Sequence, residues 1–144
     1  MHRANYIGLT VIGLALSLGT GAVEGDVVAV VSAKSAVTTL SKSQVANIFL
    51  GKTARFPDGS QALPIDQSEG AAARDEFYTK FTGKSAAKLK AHWSTIIFTG
   101  RGRPPREVAN DGDVKKLLAN NHNAIGYVDK SALDAAVKVV PISP

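Results

Sequence analysis

The chain has 144 residues, a formal net charge of +5 at pH 7 and no cysteine. The lack of cysteine excludes a disulfide framework, a thiolate metal site and a lipid anchor on a cysteine. We expect one domain, because a chain of this length can bury a core that stabilises it without cross-links.

Residues 1–22 have the pattern of a signal peptide. A weakly basic start precedes the apolar run 7–18, and the small residues Thr20, Gly21 and Ala22 fit a signal-peptidase site. We therefore expect cleavage after Ala22, export, and a single folded domain over residues 23–144. The alternative is an uncleaved anchor, although the apolar run is shorter than the about 20 residues that span a bilayer.

Hydrophobic periodicity in the rest of the chain predicts strands that alternate with helices. The predicted elements, in chain order, are strand 26–33, helix 42–50 after the cap Ser41, strand 61–66, helix 69–81, a helix after the cap Ser85, loop 98–105, a helix capped by Asn110 or Asp111, and strands 124–128 and 136–140. Strands separated by helices predict an α/β layer with substantial parallel pairing.

The helix after Ser85 is predicted to be amphipathic, and it lies in a basic segment. Four apolar residues recur at i, i+4, i+7 and i+8 and are expected to face the core: Leu89, Trp93, Ile96 and Ile97. No acidic residue lies between Glu76 and Glu107, whereas this segment contains Lys80, Lys84, Lys88, Lys90, Arg101, Arg103 and Arg106. The positive field attracts anions, and the alternative is a solvated helix face followed by a loop. Nucleic acid is not an expected partner, because the segment has no recognised binding motif.

The residue pattern does not favour an enzyme. Beyond the signal segment the only histidines are His92 and His122, which fall in different predicted elements. No nucleophile, base and orienting group are placed together, and the spacing is not that of a metal site. We expect no catalytic residue, no metal and no cofactor.

The passage from strand to helix at residues 68–73 is a candidate anion site. Amide groups at a helix start are unpaired, and the helix dipole adds partial positive charge there. Gly70 and the following alanines allow a ligand to approach the backbone, and Arg74 lies one turn later. The alternative is an ordinary helix start, because Asp66 and Glu69 complement the same dipole without a ligand.

Three segments in this order resemble the phosphate-binding proteins of ABC transporters: IFLGK at 48–52, PIDQSEGAAARDEF at 64–77 and NAIGYV at 123–128. Through LSKSQVANIFLGK, FYTKFTGKSAAKLKAHW and FTGRGRPPREV, residues 26–140 are similar to the short phosphate-transporter-binding-protein-like proteins of Gram-negative bacteria. The resemblance implies a single-domain α/β fold of the type II periplasmic-binding-protein class, with a mixed, mostly parallel sheet flanked by helices. It also implies a periplasmic location and binding of phosphate or a related oxyanion.

The chain departs from the larger family members in two ways. It is much shorter, so it offers about one of their two lobes. Those members carry an arginine and then Ser-Gly-Thr at the helix start, where this chain, aligned on Phe77, has Gln67 and the three alanines 71–73. Hydrogen bonds to a charged group contribute about 1.5–3 kcal/mol each, so their loss predicts affinity that is weaker by several powers of ten.

The resemblance and the helix start together give a set of candidate ligand-binding residues: Ser35, Ser68, Gly70, Ala71, Arg74 and Arg101. The leading hypothesis is an exported, non-enzymatic solute-binding protein that binds phosphate or a related oxyanion, with a membrane transporter or another periplasmic protein as partner in ABC-type uptake. The alternative is an interaction or structural module that keeps the fold without binding a ligand.

Overall fold

The computed structural model describes residues 26–144. The elements are β1 Val27–Ser32, β2 Leu40–Ser41, α1 Lys42–Phe49, β3 Leu63–Gln67, α2 Ala72–Thr82, α3 Ala86–Thr99, β4 Arg106–Val108, α4 Asp111–Asn120, β5 Ala124–Asp129, a 3₁₀ turn Lys130–Ala132, β6 Val137–Val139 and β7 Ile142–Ser143. Over this range no helix combines the length and apolar character needed to cross a membrane. The predicted signal segment 1–22 lies outside the described residues.

The central sheet has five strands in the order β4-β3-β5-β1-β6. Strands β4, β3 and β5 are parallel, β1 is antiparallel to both β5 and β6, and the short β2 and β7 form a separate parallel pair. Two of the four pairings in the central sheet are parallel, and with the β2–β7 pair three of all five are, which agrees with the predicted mixed, mostly parallel arrangement.

The direction of β1 decides which loops share an edge of the sheet. Val31, near the end of β1, pairs with Ile125, and Ile125 also pairs with Pro64 near the start of β3. The loop after β1 consequently leaves the sheet at the edge where β3 begins. The loop after β3 leaves at the opposite edge.

Helices cover both faces of the sheet. On one face, α1, α2 and α3 enclose an aromatic core in which the Phe77 ring stacks on Tyr127 at 4.1 Å between centroids and meets Phe49 edge-on at 4.6 Å. On the other face, Val114 and Leu118 of α4 pack in a separate, aliphatic cluster. Burial on both faces explains the continuous β-branched pattern of β1.

The helix signals in the sequence are largely confirmed. Ser41 forms a complete capping box with Gln44, and Ser85 and Asn110 cap α3 and α4 through their side chains. Helix α2, however, begins at Ala72 rather than Glu69, and its N-cap Ala71 makes no side-chain bond. The delay follows from Gly70, whose φ of 89° belongs to a turn and not to a right-handed helix.

Two expectations about the end of α3 differ from the structure. The helix continues to Thr99, and Ile97 is 59% exposed, so its predicted place in the core is wrong. Leu89 and Trp93 are buried as predicted, and Ile96 packs partly against the same cluster. The reason is that the last turn of α3 extends beyond the core that Trp93 closes.

Strand β4, which follows the loop, is absent from the predicted elements because its three residues have no hydrophobic alternation.

Candidate functional site

The carboxyl end of β3, the start of α2, one side of α3 and the loop before β4 surround an open cleft of about 430 Å³. We refer to it as the β3–α2 cleft. Its lining residues are Asp66, Glu69, Gly70, Arg74, Asp75, Ala86, Leu89, Lys90, Trp93, Ser94, Ile97, Pro104 and Glu107. It contains the helix start that the sequence marks as a candidate anion site, and apolar side chains of α3 form the wall opposite.

Asp66 lies at the inner end of the cleft and is held by other groups of the same chain. Its Oδ2 accepts a hydrogen bond from the Tyr78 hydroxyl at 2.6 Å, and its Oδ1 accepts from the Gln67 amide at 2.8 Å and from the Tyr127 hydroxyl. Burial raises the pKa of Asp66, while the bonds from Tyr127 and Tyr78 and the charge of Arg74 act in the opposite direction. Burial and the charge of Asp66 also raise the pKa of both tyrosines, which stay protonated donors.

Arg74 is bound within the protein. One nitrogen, Nη1, donates to Glu107 Oε1 at 2.7 Å and to the Gln67 carbonyl oxygen at 2.9 Å, and it lies 3.7 Å from Asp66 Oδ2. The guanidinium carbon also lies 5.7 Å from the centre of the Tyr78 ring. With its side chain only 13% exposed, Arg74 connects α2 to β3 and β4. Its charge is balanced by two carboxylates before any ligand arrives.

Gln67, which the resemblance places at the position of an arginine, turns away from the cleft. Its side-chain Nε2 donates to Asp111 Oδ1 at 2.7 Å and to the Tyr127 carbonyl oxygen at 3.0 Å. The residue is buried and does not line the cleft. It therefore joins β3 to β5 and to the start of α4.

The structure brings only part of the predicted ligand-binding set together. Gly70 and Arg74 line the cleft, and Ala71 is the N-cap of α2 beside them. Ser68 lies next to this turn, where its hydroxyl donates to the Val108 carbonyl oxygen at 3.2 Å. These four residues share one edge of the sheet, although Ser68 and Ala71 are not part of the cleft lining.

Ser35 and Arg101 are placed elsewhere. Ser35 follows β1 and, because β1 is antiparallel to β5, lies at the other edge of the sheet, where its carbonyl oxygen accepts a bond from Lys138 Nζ at 2.9 Å. Its predicted convergence with Ser68 is not found. Arg101 lies in the loop after α3, exposed and outside the cleft lining.

The lining of the cleft carries an excess of negative formal charge. Four carboxylates, Asp66, Glu69, Asp75 and Glu107, and two basic side chains, Arg74 and Lys90, line it, which gives a formal charge of −2. Asp66, Glu69 and Asp75 are close together in the sequence, so this excess of negative charge could have been predicted from the sequence. Glu107 gives no such signal, because only the parallel pairing of β4 with β3 brings it opposite Asp66.

The described residues contain no cluster of three or more histidine, aspartate or glutamate side chains arranged to hold a metal ion. The cleft also has no histidine in its lining.

No protein-family model matches the chain, and neither does any curated protein sequence. Solved structures do match. A protein from Clostridium perfringens, described as a phosphate ABC transporter substrate-binding protein with bound phosphate, superposes with a TM-score of 0.64 at 21% identity, over 81% of this chain and 44% of that one.

An ABC-type phosphate transport receptor from Vibrio cholerae gives a TM-score of 0.64 at 16% identity, over 80% of this chain and 45% of that one. PstS from Borrelia burgdorferi gives a TM-score of 0.59 at 13% identity, over 82% of this chain and 47% of that one. The chain spans less than half the length of these proteins. It has the fold of phosphate ABC transporter substrate-binding proteins.

Proposed function

We propose that the protein is an exported, non-enzymatic module of the phosphate-binding-protein fold that acts through contacts with another molecule and does not bind phosphate at the β3–α2 cleft. In this proposal residues 1–22 are removed as a signal peptide and residues 23–144 function in the periplasm. The observation that carries the proposal is the state of Arg74, whose guanidinium is bound by Glu107 and by the Gln67 carbonyl oxygen.

The electrostatics of the cleft support this proposal. A phosphate ion at Arg74 would compete with the Glu107 carboxylate for the charge of the guanidinium group and would lie beside the negative charge of Asp66. At about 4 Å, two like charges in a partly buried site repel by roughly 4 kcal/mol. The formal charge of −2 on the cleft lining acts in the same direction.

Thermal unfolding with added phosphate tests the proposal. A ligand that binds only the folded state raises the melting temperature in proportion to RT ln(1 + [L]/Kd). We expect millimolar phosphate to change the melting temperature no more than sulfate at equal ionic strength. A rise specific to phosphate, abolished in Arg74→Ala and retained in the matched variant Arg55→Ala, which changes an exposed arginine of another loop, would contradict the proposal.

Phosphate binding for ABC-type uptake is the second candidate function. It is favoured by the fold shared with the phosphate-bound structure from Clostridium perfringens and by the open turn at Gly70, where an added Cβ atom would meet nothing within 4 Å. A ligand could approach the amides at the start of α2 there. This function predicts the phosphate-specific, Arg74-dependent rise in melting temperature and requires a membrane transporter as partner.

A further inference from the structure

The end of α3 and the loop after it form an exposed projection, residues 97–103, which we call the α3 tip. Phe98 is 92% exposed, the most exposed large hydrophobic residue in the described part of the chain. Arg101 and Arg103 follow it and form no salt bridge with any described residue. An exposed aromatic ring between apolar and basic neighbours is typical of an interface and costly to leave in water.

The α3 tip has a defined backbone conformation. Gly100 adopts a φ of 67° and ends the helix, and the Arg101 amide donates to the Ile96 carbonyl oxygen at 3.1 Å. The Thr99 hydroxyl donates to the Thr95 carbonyl oxygen at 2.9 Å. The backbone of residues 97–101 therefore loses little conformational freedom on binding, which favours its use as a contact surface.

The β3–α2 cleft is complementary to the α3 tip in charge and in apolar character. Glu69 and Asp75 at the cleft are exposed and, like Arg101 and Arg103, form no salt bridge with any described residue. Leu89 and Trp93 give the cleft an apolar wall that accepts an aromatic or aliphatic side chain. A basic, aromatic surface is therefore the surface that this cleft fits best.

We propose that the α3 tip of one copy of this chain docks into the β3–α2 cleft of a second copy, and that the reciprocal contact forms at the same time in a two-fold symmetric dimer. The proposal rests on the proposed function, because it requires the cleft to receive a protein surface and not a phosphate ion. Arg101 and Arg103 of each copy would meet Glu69 and Asp75 of the other, with Phe98 against the apolar wall.

The position of the α3 tip explains why the contact closes into a pair. Ile97 and Pro104 line the cleft of their own chain, so the tip stands on the rim of that cleft. A two-fold axis beside this rim places each tip over the other copy's cleft, so both copies use both surfaces. A tip and a cleft that meet without two-fold symmetry would instead form rings or open chains of molecules.

Charge exchange between the two surfaces tests the proposal. The tip variant Arg101→Glu/Arg103→Glu and the cleft variant Glu69→Lys/Asp75→Lys each place like charges across the contact. We expect the protein, expressed from the full sequence and purified as the cell processes it, to form a dimer in sedimentation velocity experiments. Each variant alone should raise the dimer dissociation constant at least tenfold.

Mixing the two variants should restore the dimer, because both contacts then join opposite charges. The variant Lys42→Glu/Lys52→Glu makes the same change of charge at α1 and its C-terminal turn and should dimerise as the parent does. Circular dichroism and melting temperature verify that each variant is folded. High salt should weaken the parent dimer, since these charges are exposed.

A protein that stays monomeric at all concentrations would overturn the inference, as would a dimer that the two charge reversals leave unchanged or that mixing does not restore. Phosphate titration of the same samples separates this failure from failure of the proposed function. A monomer without a phosphate-specific rise in melting temperature contradicts the dimer alone, whereas a phosphate-specific rise contradicts the proposed function.

Discussion

Asp66 shows how single residues have shaped the inner end of the cleft. Asp66 follows three apolar residues of β3, and the local sequence alone would suggest an acidic residue at the end of a strand. In the structure, two tyrosine hydroxyls and a backbone amide donate hydrogen bonds to its carboxyl group. These donors satisfy the buried group, and Arg74 adds a positive charge 3.7 Å away. The charges of Asp66 and Arg74 are therefore balanced within the protein, without a ligand.

Replacing Asp66 by asparagine should reduce stability by an amount that depends on pH. Burial raises the pKa of folded Asp66 above 3.8, so the folded protein takes up a proton at a higher pH than the unfolded chain does. The contribution of this group to the free energy of unfolding therefore grows as pH falls through the folded pKa, and it is lost as pH rises. We expect Asp66→Asn to cost about 1–3 kcal/mol, and more near pH 4 than at pH 7, as measured by urea unfolding.

Asp58→Asn is the matched control for the effect of pH. A hydrogen bond from the Ser60 side chain lowers the pKa of the exposed Asp58. The stabilisation that Asp58 provides is thus lost as pH falls, and the cost of Asp58→Asn should be smaller near pH 4. An Asp66→Asn variant that behaved like Asp58→Asn would show that folded Asp66 is stabilised as the carboxylate.

At the scale of elements, the close packing of α4 on β5 sets the second face of the sheet. A Cβ atom built on Gly126 would lie 2.6 Å from Val114 Cγ1 and 3.4 Å from Leu118 Cδ1. Only glycine at this point of β5 lets the helix approach so closely. Helix α4 in turn carries Asp111, which holds the Gln67 side chain out of the cleft.

Gly126→Ala should destabilise the protein by about 1–3 kcal/mol, because the added methyl group overpacks the contact with Val114. Combining it with Val114→Ala should cost less than the sum of the two single changes, since the smaller helix residue makes room. Urea unfolding of the four proteins in this cycle measures the coupling. Gly102→Ala, whose Cβ would lie 3.5 Å from Ile96 Cγ2, is the control and should change stability by less than about 0.5 kcal/mol. Strict additivity of the two changes would contradict this view of the packing.

The whole molecule has the fold of phosphate ABC transporter substrate-binding proteins, and it covers less than half the length of the solved ones. The acidic cleft and the basic α3 tip lie side by side, and the net charge of the chain is +5. Most of this separated charge lies at the surface, because Glu69, Asp75, Arg101 and Arg103 are exposed, whereas Asp66 is buried. In the function that we propose, this separation of charge favours association with a complementary surface over binding of a small anion.

Export of the chain is a prediction at this same scale. Protein recovered from the periplasm should begin at Val23, because the small residues before it suit signal peptidase. Intact mass spectrometry of the purified protein measures the start directly. Ala22→Phe should block this cleavage, because the enzyme requires a small side chain there. A full-length chain that stays with the membrane fraction would support the uncleaved anchor.

The main elements of the fold could be predicted from the sequence, because their signals are local. Ser41, Ser85 and Asn110 cap helices where the hydrophobic periodicity begins, and β-branched runs mark the buried strands. Short strands such as β2 and β4 have too few residues for a pattern. Their pairing depends on segments that are distant in the chain.

The sequence by itself determined the passage from strand to helix at residues 68–73, the absence of hydroxyl side chains at the alanines 71–73 and the basic character of the segment from Lys80 to Arg106. Only the tertiary structure decided what surrounds that helix start. The antiparallel β1 takes Ser35 to the far edge of the sheet, and the pairing of β4 with β3 brings Glu107 to Arg74. The physical reason is that charge acts through distance in space, and distances between remote residues are set by strand order and direction, which no local pattern encodes.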